Sequence, residues 1–506
     1  MSTSTVYFLL PEIAIIAAAV LIYIAGAFSH SEKIWRWLAL AGIILAMVCL
    51  SRQHGTADRV LISDGFSLFI RWLTLAVGLL LVLMNFRPLI GGGTPESIGS
   101  LLLVIAGGML VVSANDLILL FVALELISIP TYILLYLGPD DIGCRESAAK
   151  YFFLSVLASA ILLYGFSFIY GAAGTMNLDG VRLSLSNPQT MPKGFDNLAK
   201  LALLLVFAGL SFRLAAVPFH FYAPDVYQGT TNANAALLSV IPKAAGLIVL
   251  VRLVWAAMPD AGPFDWQITM AVAILTMTLG NTMALWQDNI RRMMAYSSIA
   301  HAGYLLIGLS AALATRDSPP GAWDGVSALL FYLCVYAAAT IGTFAMLEYL
   351  GQRERRVEGI NELAGLGGAR PAAAAMIAVF MFSLTGIPPL AGFWGKLQIF
   401  GSALNVNAGA GGNLRIWFVA LAIVGVLNAA ISAGYYMRIV GVMYFRTPLA
   451  PHRAEGGLGA WTAAAVCALL TIILGLYPGP LLWASNNARP TTSQVPRIEK
   501  TFNLEY

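Results

Sequence analysis

The sequence predicts an all-α polytopic membrane protein with about 14 transmembrane helices, two inverted five-helix repeats and two broken helices. Three observations predict it. Hydrophobic residues make up 59% of the chain and charged residues only 11%, with a mean hydropathy of +0.79. A soluble domain carries about 25% charged residues, so this chain could not cover its surface in water. At roughly 25 residues per pass with loops, a length of 506 residues allows one bundle of roughly 12 to 15 helices. Finally, two apolar segments carry prolines at their centres, at matching places in the two halves.

Taken in order, the apolar runs are 5–29, 34–51, 64–86, 97–113, 116–138, 149–171, 198–222, 229–257, 266–287, 293–314, 325–350, 371–403, 414–440 and 459–485. The first, within MSTSTVYFLLPEIAIIAAAVLIYIAGAF, has no basic lead and no evident cleavage site. It is therefore expected to stay as a spanning helix rather than leave as a signal peptide. The chain is expected to divide into three N-terminal helices (1–96), a first five-helix repeat (97–257, broken at 198–228), a second, inverted one (266–440, broken at 371–403), and a last helix with its tail (441–506). With the N-terminus outside, the inward loops hold 13 Lys and Arg and the outward loops 7. The RERR run at Arg353–Arg356 is the strongest single signal. This bias places both termini outside.

The repeat rests on three matches in order. PTYILLYLG (130–138) pairs with AGYLLIGLS (302–310), AAKYFFLSVLASA with ALLFYLCVYAAAT, and VPFHFYAPD with IPPLAGFWGK. The offsets cluster near 170–180 residues. An odd number of passes per copy turns the second copy over. The third pair holds the prolines, Pro218 and Pro224 in one and Pro388 and Pro389 in the other. Proline removes a donor and crowds the preceding turn, and in lipid the freed carbonyls must find protein or water. One such break is an ordinary kink. A matched pair points to an ion path near the midplane.

Charged residues then stand where hydrocarbon is expected: Glu125 in FVALELISIP, Arg213 just before the first break, Lys243 well inside segment eight, and Lys396 just after the second break. An unpaired ion there costs at least about 2.5–3.5 kcal/mol. Such residues pair, face water or do work. Interhelical ion pairs are the plain reading, but four such residues in separate helices favour a proton path. A buried amine and a movable carboxylate load and unload a proton through the Coulomb energy between them. Lys243 and Lys396 suit that role. Arg213 does not, because guanidinium keeps its proton, so it is a fixed charge that tunes Glu125. His301, in RMMAYSSIAHAGY, titrates near neutrality and is either a relay or a packing residue. His220 and Asp225 are expected to hold the loop geometry or cap the short helix after the break. Asn281, Tyr296, Ser297 and Ser298 could line hydrated cavities.

Other chemistries lack support. Cys49, Cys144, Cys334 and Cys467 form no CxxC pair, and no dinucleotide fingerprint or phosphate-binding loop is present. No metal site or nucleic-acid site is expected, and any redox cofactor belongs to another subunit.

ALELISIPTYILLYL, VPFHFYAPDVYQG, IPKAAGLIVLVRL, NIRRMMAYSSIAHAGYLLIGL and TGIPPLAGFWGK resemble the antiporter-like subunit N family of respiratory complex I, NADH–quinone oxidoreductase. Its counterparts are mitochondrial subunit 2 and the chloroplast and cyanobacterial subunit 2. The resemblance runs through most of segments four to thirteen. APDVYQG after VPFH separates it from sister subunits L and M and from Mrp-type antiporter subunits. The end after segment fourteen is likewise unlike subunit L, which carries a long lateral helix. The resemblance implies helices four to eight and nine to thirteen as inverted repeats, with helices seven and twelve broken. It implies a proton-translocating module in the bacterial inner membrane. FMN, Fe–S clusters and quinone would sit on other subunits, and M-type and K/J-type subunits would be neighbours. Glu125 matches the family's helix-five glutamate, Lys243 its helix-eight lysine, His301 a helix-ten histidine and Lys396 its helix-twelve lysine. Arg213 departs from the pattern, since the family usually places lysine there. The alternatives are a subunit of an Mrp-like antiporter or membrane-bound hydrogenase, or a spacer that does not pump.

Overall fold

In the computed structural model the described residues are 3–29, 32–53, 60–86, 93–138, 141–185, 195–258, 264–316, 323–351, 356–406, 414–448 and 454–490. Most of the Arg353–Arg356 run and the tail beyond 490 lie outside them. Helices dominate, in fourteen membrane-scale units: α1 (Leu10–Gly26), α2 (Glu32–Ser51), α3 (Gly65–Met84), α4 (Thr94–Ser113), α5 (Leu117–Tyr136), α6 (Ile142–Ala173), α7a (Phe195–Leu214) with α7b (Ala223–Gly229), α8 (Asn232–Val249, continued by π-helix Leu250–Ala257), α9 (Phe264–Leu285), α10 (Ile290–Ala314), α11 (Gly325–Leu350), α12a (Pro371–Thr385) with α12b (Ala391–Leu404), α13 (Leu414–Phe445) and α14 (Gly457–Leu476). Among the described residues, 12 helices are long and apolar enough to span, and Leu10–Gly26 and Pro371–Thr385 are shorter apolar helices. The chain is an integral, multi-pass, all-α membrane protein. Among the described residues, the polar connection after α6 carries the short helix Leu178–Leu185.

Helix starts follow local chemistry. Asp64, Asp116, Asp141, Asn289 and Asp324 each sit just before a helix and accept from its first free amides, satisfying donors that lipid would leave bare. Gly174, at φ +69°, ends α6 in the left-handed turn that only glycine adopts without penalty. Inside α5, Ser128 and Thr131 donate to the carbonyls of Leu124 and Ile127, around the proline at 130.

Burial sorts the helices. The spanning window of α8 is wholly buried, and those of α10 and α11 are 94% buried, whereas α6, α13 and α14 keep only 33% of theirs from the surroundings. The core is thus built on a trio of long helices, with α6, α13 and α14 at its outside. Helix pairings repeat along the chain. α4 packs on α5 as α9 does on α10, and α5 on α6 as α10 on α11. α6 meets both pieces of α7 as α11 meets both pieces of α12. α7a packs on α8 as α12 does on α13, and α4 on α8 as α9 on α13. Contacts of α8 with α11, and of α7b with α10, join the two groups.

Both interruptions fall where the sequence places them. After α7a the backbone unwinds over 215–222, with Ala215 at φ +52°, and after α12a over 386–390, with Gly386 at φ +94°. Val217–Pro218 and Pro388–Pro389 are cis. Protein satisfies the freed groups. The Val217 amide donates to Thr276 Oγ1 of α9 (3.0 Å), and Tyr222 Oη donates to the Phe212 carbonyl (2.8 Å). At the second break the Gly392 amide donates to Ser383 Oγ (3.1 Å). One expectation needs refining. Pro224 lies in the first turn of α7b rather than in the unwound stretch, where its missing amide costs no helical bond.

Candidate functional site

The described ionisable residues in the core fall into two kinds. Arg213, at the last turn of α7a, reaches α5 and α6. Its Nη1 donates to Ser128 Oγ (2.7 Å) and the Leu124 carbonyl (3.2 Å), and its Nη2 to Glu125 Oε1 (3.1 Å) and Ser159 Oγ (3.4 Å). Ser159 also donates to Glu125 Oε1 (2.6 Å). This is a closed ion pair, with the planar guanidinium held in a fork and a hydroxyl bridge behind it.

Lys243 and Lys396 are built differently. They are 1% and 6% exposed, and neither forms an ion pair among the described residues. Lys243 Nζ, from the wholly buried α8, donates to the carbonyl and hydroxyl oxygens of Ser298 on α10. Its ammonium also lies 5.9 Å from the centre of the Tyr336 ring. Lys396 Nζ, from α12b, donates back across the break to the Thr385 carbonyl (2.8 Å) and sits 5.1 Å over the Tyr304 ring. That carbonyl is one the interruption leaves without a helical partner. Among the described residues, dipoles and ring faces rather than an opposing charge offset the desolvation of either amine.

His301 lies on α10 one helical turn from Ser297 and Ser298, and is 2% exposed. Tyr332 Oη meets its Nδ1 at 2.6 Å and Tyr436 Oη its Nε2 at 3.0 Å. The Tyr332 ring stacks on the imidazole, and the Tyr336 ring packs against it at a tilt of 32°.

Predicted residues divide accordingly. The fold brings Lys243, Ser298 and His301 together, and brings Glu125 to Arg213. It does not bring the Glu125–Arg213 pair onto Lys243. The link is packing: Gly246, one turn past Lys243, lies so close to α7a that a Cβ there would stand 3.4 Å from Arg213 Cβ. Asn281 bonds Tyr304, Asn428 and Tyr435, so it ties α9 to α10 and α13. Tyr296 is buried on α10 and joins none of these bonds. His220 is half-buried in the first break.

Asp225, on α7b, pairs with Lys150 of α6 (2.5 Å) and Arg292 of α10 (2.6 Å), a loop-holding role of the kind expected. Burial pushes its carboxyl up, but the hydrogen bonds and charges of Lys150 and Arg292 outweigh that and hold it below the usual carboxylate range. These residues line an open, charged cavity of about 400 Å³ with Asp141, Glu146, Arg291 and Glu358. Tyr227, on the same helix α7b as Asp225, meets Ser298 Oγ at 3.3 Å. The cavity and the Lys243 site therefore share one short helix.

Sequence reasoning missed two buried pairs, Glu12–Arg71 (2.7 Å) and Asp64–Arg252 (2.7 Å). Their signal is plain in hindsight: Glu12 in FLLPEIAII, Arg71 in LFIRWLT and Arg252 in IVLVRLV are charges in apolar runs. The tyrosine cluster around His301 was missed because a tyrosine in an apolar helix reads as packing.

A polytopic helical bundle with two interrupted helices and a buried file of ionisable groups defines an ion-translocating membrane subunit. Residues 114–433 match the family described as NADH:quinone oxidoreductase/Mrp antiporter, transmembrane. NADH-quinone oxidoreductase subunit N of Rhodospirillum rubrum is 38% identical, over 88% of this chain and 89% of its own. Subunit N of Paramagnetospirillum magneticum is 36% identical over 95% and 96%. A chain of respiratory complex I from Thermus thermophilus with bound aureothin superposes with a TM-score of 0.76 at 30% identity, covering 94% of this chain and 99% of that one. A chain of the Mrp complex from Dietzia sp., at a TM-score of 0.77 and 21% identity, over 97% of each chain, shares the fold. This chain belongs to the NADH:quinone oxidoreductase/Mrp antiporter transmembrane family, in its NADH-quinone oxidoreductase subunit N branch.

Proposed function

We propose that this chain is the antiporter-like membrane-arm subunit of a complex I-type NADH–quinone oxidoreductase and carries protons across the membrane. The carrying observation is the pair of lysines, Lys243 and Lys396, sunk in the core with no carboxylate partner among the described residues. An amine held only by dipoles exchanges its proton without first breaking an ion pair. Protons reach Lys243 from the charged cavity beside α7b, pass His301 and leave by Lys396. Glu125 and Arg213 act on Lys243 through the contact of α7a with α8. In this reading the termini face outward from a bacterial inner membrane. FMN, Fe–S clusters and quinone belong to other subunits, and M-type and K/J-type subunits flank the chain.

A non-pumping spacer is the second reading, favoured by Arg213, a cation that cannot release its proton. Lys243→Met in the complete complex separates the two. Membrane vesicles oxidising NADH should translocate fewer protons per electron pair than the wild type. An unchanged ratio would leave the spacer standing.

A further inference from the structure

Helix α7b is held from outside by cations and touches the Lys243 site through one hydroxyl. It is seven residues long. So short a helix makes too few internal bonds to fix itself, and whatever grips it sets where it lies. Lys150 of α6 and Arg292 of α10 close on the Asp225 carboxylate (2.5 and 2.6 Å), and Arg292 also donates to Gln228 Oε1 (2.9 Å). Ser147 of α6 donates to the Asp225 carbonyl (3.0 Å). At the far end Arg291 donates to the Thr230 carbonyl (2.6 Å), and Arg356 to the carbonyls of Gly229 and Thr230 (3.2 and 2.9 Å). Gly229 lies so close to α6 that a Cβ there would collide with Ser147 Oγ and the Gly143 carbonyl.

Two residues past Asp225, about 200° around a helix, Tyr227 faces the core. It is 2% exposed, and its Oη meets Ser298 Oγ at 3.3 Å. Ser298 Oγ also meets Tyr336 Oη of α11 at 2.7 Å and accepts from the Lys243 ammonium. A hydroxyl has one proton and two lone pairs, and an ammonium only donates. With these three partners, Ser298 donates to one tyrosine and accepts from the other and from Lys243. Its capacity is full, and the two tyrosines fix where the lone pair left for Lys243 faces.

We infer that Asp225 is a positioning residue for Lys243: by pinning α7b to α6 and α10 it holds Tyr227 on Ser298, and so aims the Ser298 hydroxyl at the ammonium. The inference rests on the proton-carrying reading above. Asp225 acts here without contact to Lys243 and moves no proton. Loss of its charge frees the outer face of α7b and lets Tyr227 leave Ser298. That hydroxyl then keeps one tyrosine and can turn its lone pair away from the amine. The Ser298 carbonyl, fixed in α10, still accepts from Lys243, so the amine loses one of two acceptors and the effect is partial. Less than one turn of helix thereby links the charged cavity to a buried amine.

The test measures protons translocated per electron pair in membrane vesicles that carry the complete complex. Tyr227→Phe keeps the ring and removes the hydroxyl, and Asp225→Asn keeps the shape and removes the charge. Each should lose part of what Lys243→Met loses. A variant carrying both should lose no more than Tyr227→Phe alone, since the two act through one bond. Asp225→Glu restores the carboxylate and should recover the ratio. A merely structural Asp225 would lower the amount of complex and leave the ratio alone. The control is Asp288→Asn, which opens the exposed Asp288–Arg438 pair just before α10 and should keep the ratio. A parental ratio in Tyr227→Phe or Asp225→Asn, losses that add when the two are combined, no recovery in Asp225→Glu, or an equal loss in Asp288→Asn overturns the positioning role. A parental ratio in Lys243→Met instead overturns the proton-carrying reading itself. If Asp225→Asn fails to assemble, Arg292→Gln opens the same carboxylate from the α10 side and is judged by the same outcomes.

Discussion

The two interrupted helices each hold a cation, but on opposite sides of the break and in different bonds. At α7 the cation precedes the unwound stretch and is an arginine, with a carboxylate, two hydroxyls and a carbonyl around it. At α12 it follows the unwound stretch and is a lysine, whose one hydrogen bond goes to a carbonyl freed by the break itself. The first arrangement is saturated. Guanidinium keeps its proton, and its fork fits the acceptors around it. The second is sparse, and the amine has a proton it can give up. One break therefore anchors a charge, and the other leaves one held by a carbonyl and a ring face, the charge to which the proposed function assigns proton exchange. The buried pairs Glu12–Arg71 and Asp64–Arg252 side with the first, since charges neutralised in place hold helices together. Charges left to dipoles are the ones the proposed function assigns to transport.

The comparison breaks most sharply at Lys396. Lys396→Met should cut proton translocation through this subunit about 10²-fold, the low end of what a positioned acid–base group contributes. Lys396→Arg should fail as badly, because it restores charge without a releasable proton. Vesicle proton-uptake assays would show both, and normal uptake with arginine would make the site merely electrostatic.

Glu125→Ala strikes the anchored side. It leaves Arg213 buried with only neutral partners. Breaking a buried pair costs about 3–5 kcal/mol, and the partial exposure of Glu125, 22%, puts the loss near the lower end. Thermal unfolding of the purified complex should fall accordingly. An unchanged midpoint would mean that the hydroxyls alone hold the guanidinium.

Arg213→Lys sharpens the contrast. A lysine reaches fewer of those acceptors at once but keeps the charge, so translocation should stay within about twofold of the parent. A several-fold rise would show that a releasable proton at the first break adds a relay step.

The smallest effect lies at the mouth. Asp225 is held below the usual carboxylate range by Lys150 and Arg292. Its contribution to stability is therefore fully present above the ordinary carboxyl value and is lost only as pH falls through the lower folded one. Acidifying the complex from neutrality to about pH 5 should leave the α7b contacts intact in amide exchange, because ordinary carboxyl titration lies below that. Loosening of α7b in that window would contradict the assignment.

Much of this was written in the chain. Apolar runs of spanning length leave backbone groups no partner but their own helix, so composition and run length set the class of fold. Prolines fix where α7 and α12 stop, because a missing donor acts locally. Charges at Glu125, Arg213, Lys243 and Lys396 announce themselves by their surroundings. What the sequence could not supply is which charges meet. Glu125 and Arg213 stand 88 residues apart, and Lys243 and Ser298 stand 55 apart. Arg252 looks as isolated in its apolar run as Lys243, yet it is closed by Asp64, 188 residues away. Pairing depends on which helix faces which and at what depth, and helix packing sets that. The tyrosines show the same limit. Periodicity places Tyr332 and Tyr436 on apolar helices, but only the approach of α11 and α13 to α10 turns their hydroxyls onto the two nitrogens of His301. The sequence determined which groups enter the membrane, through local burial energetics. The tertiary structure decided which of them are neutralised by a partner and which are held by dipoles alone, because that turns on distances of a few ångström between residues far apart in the chain.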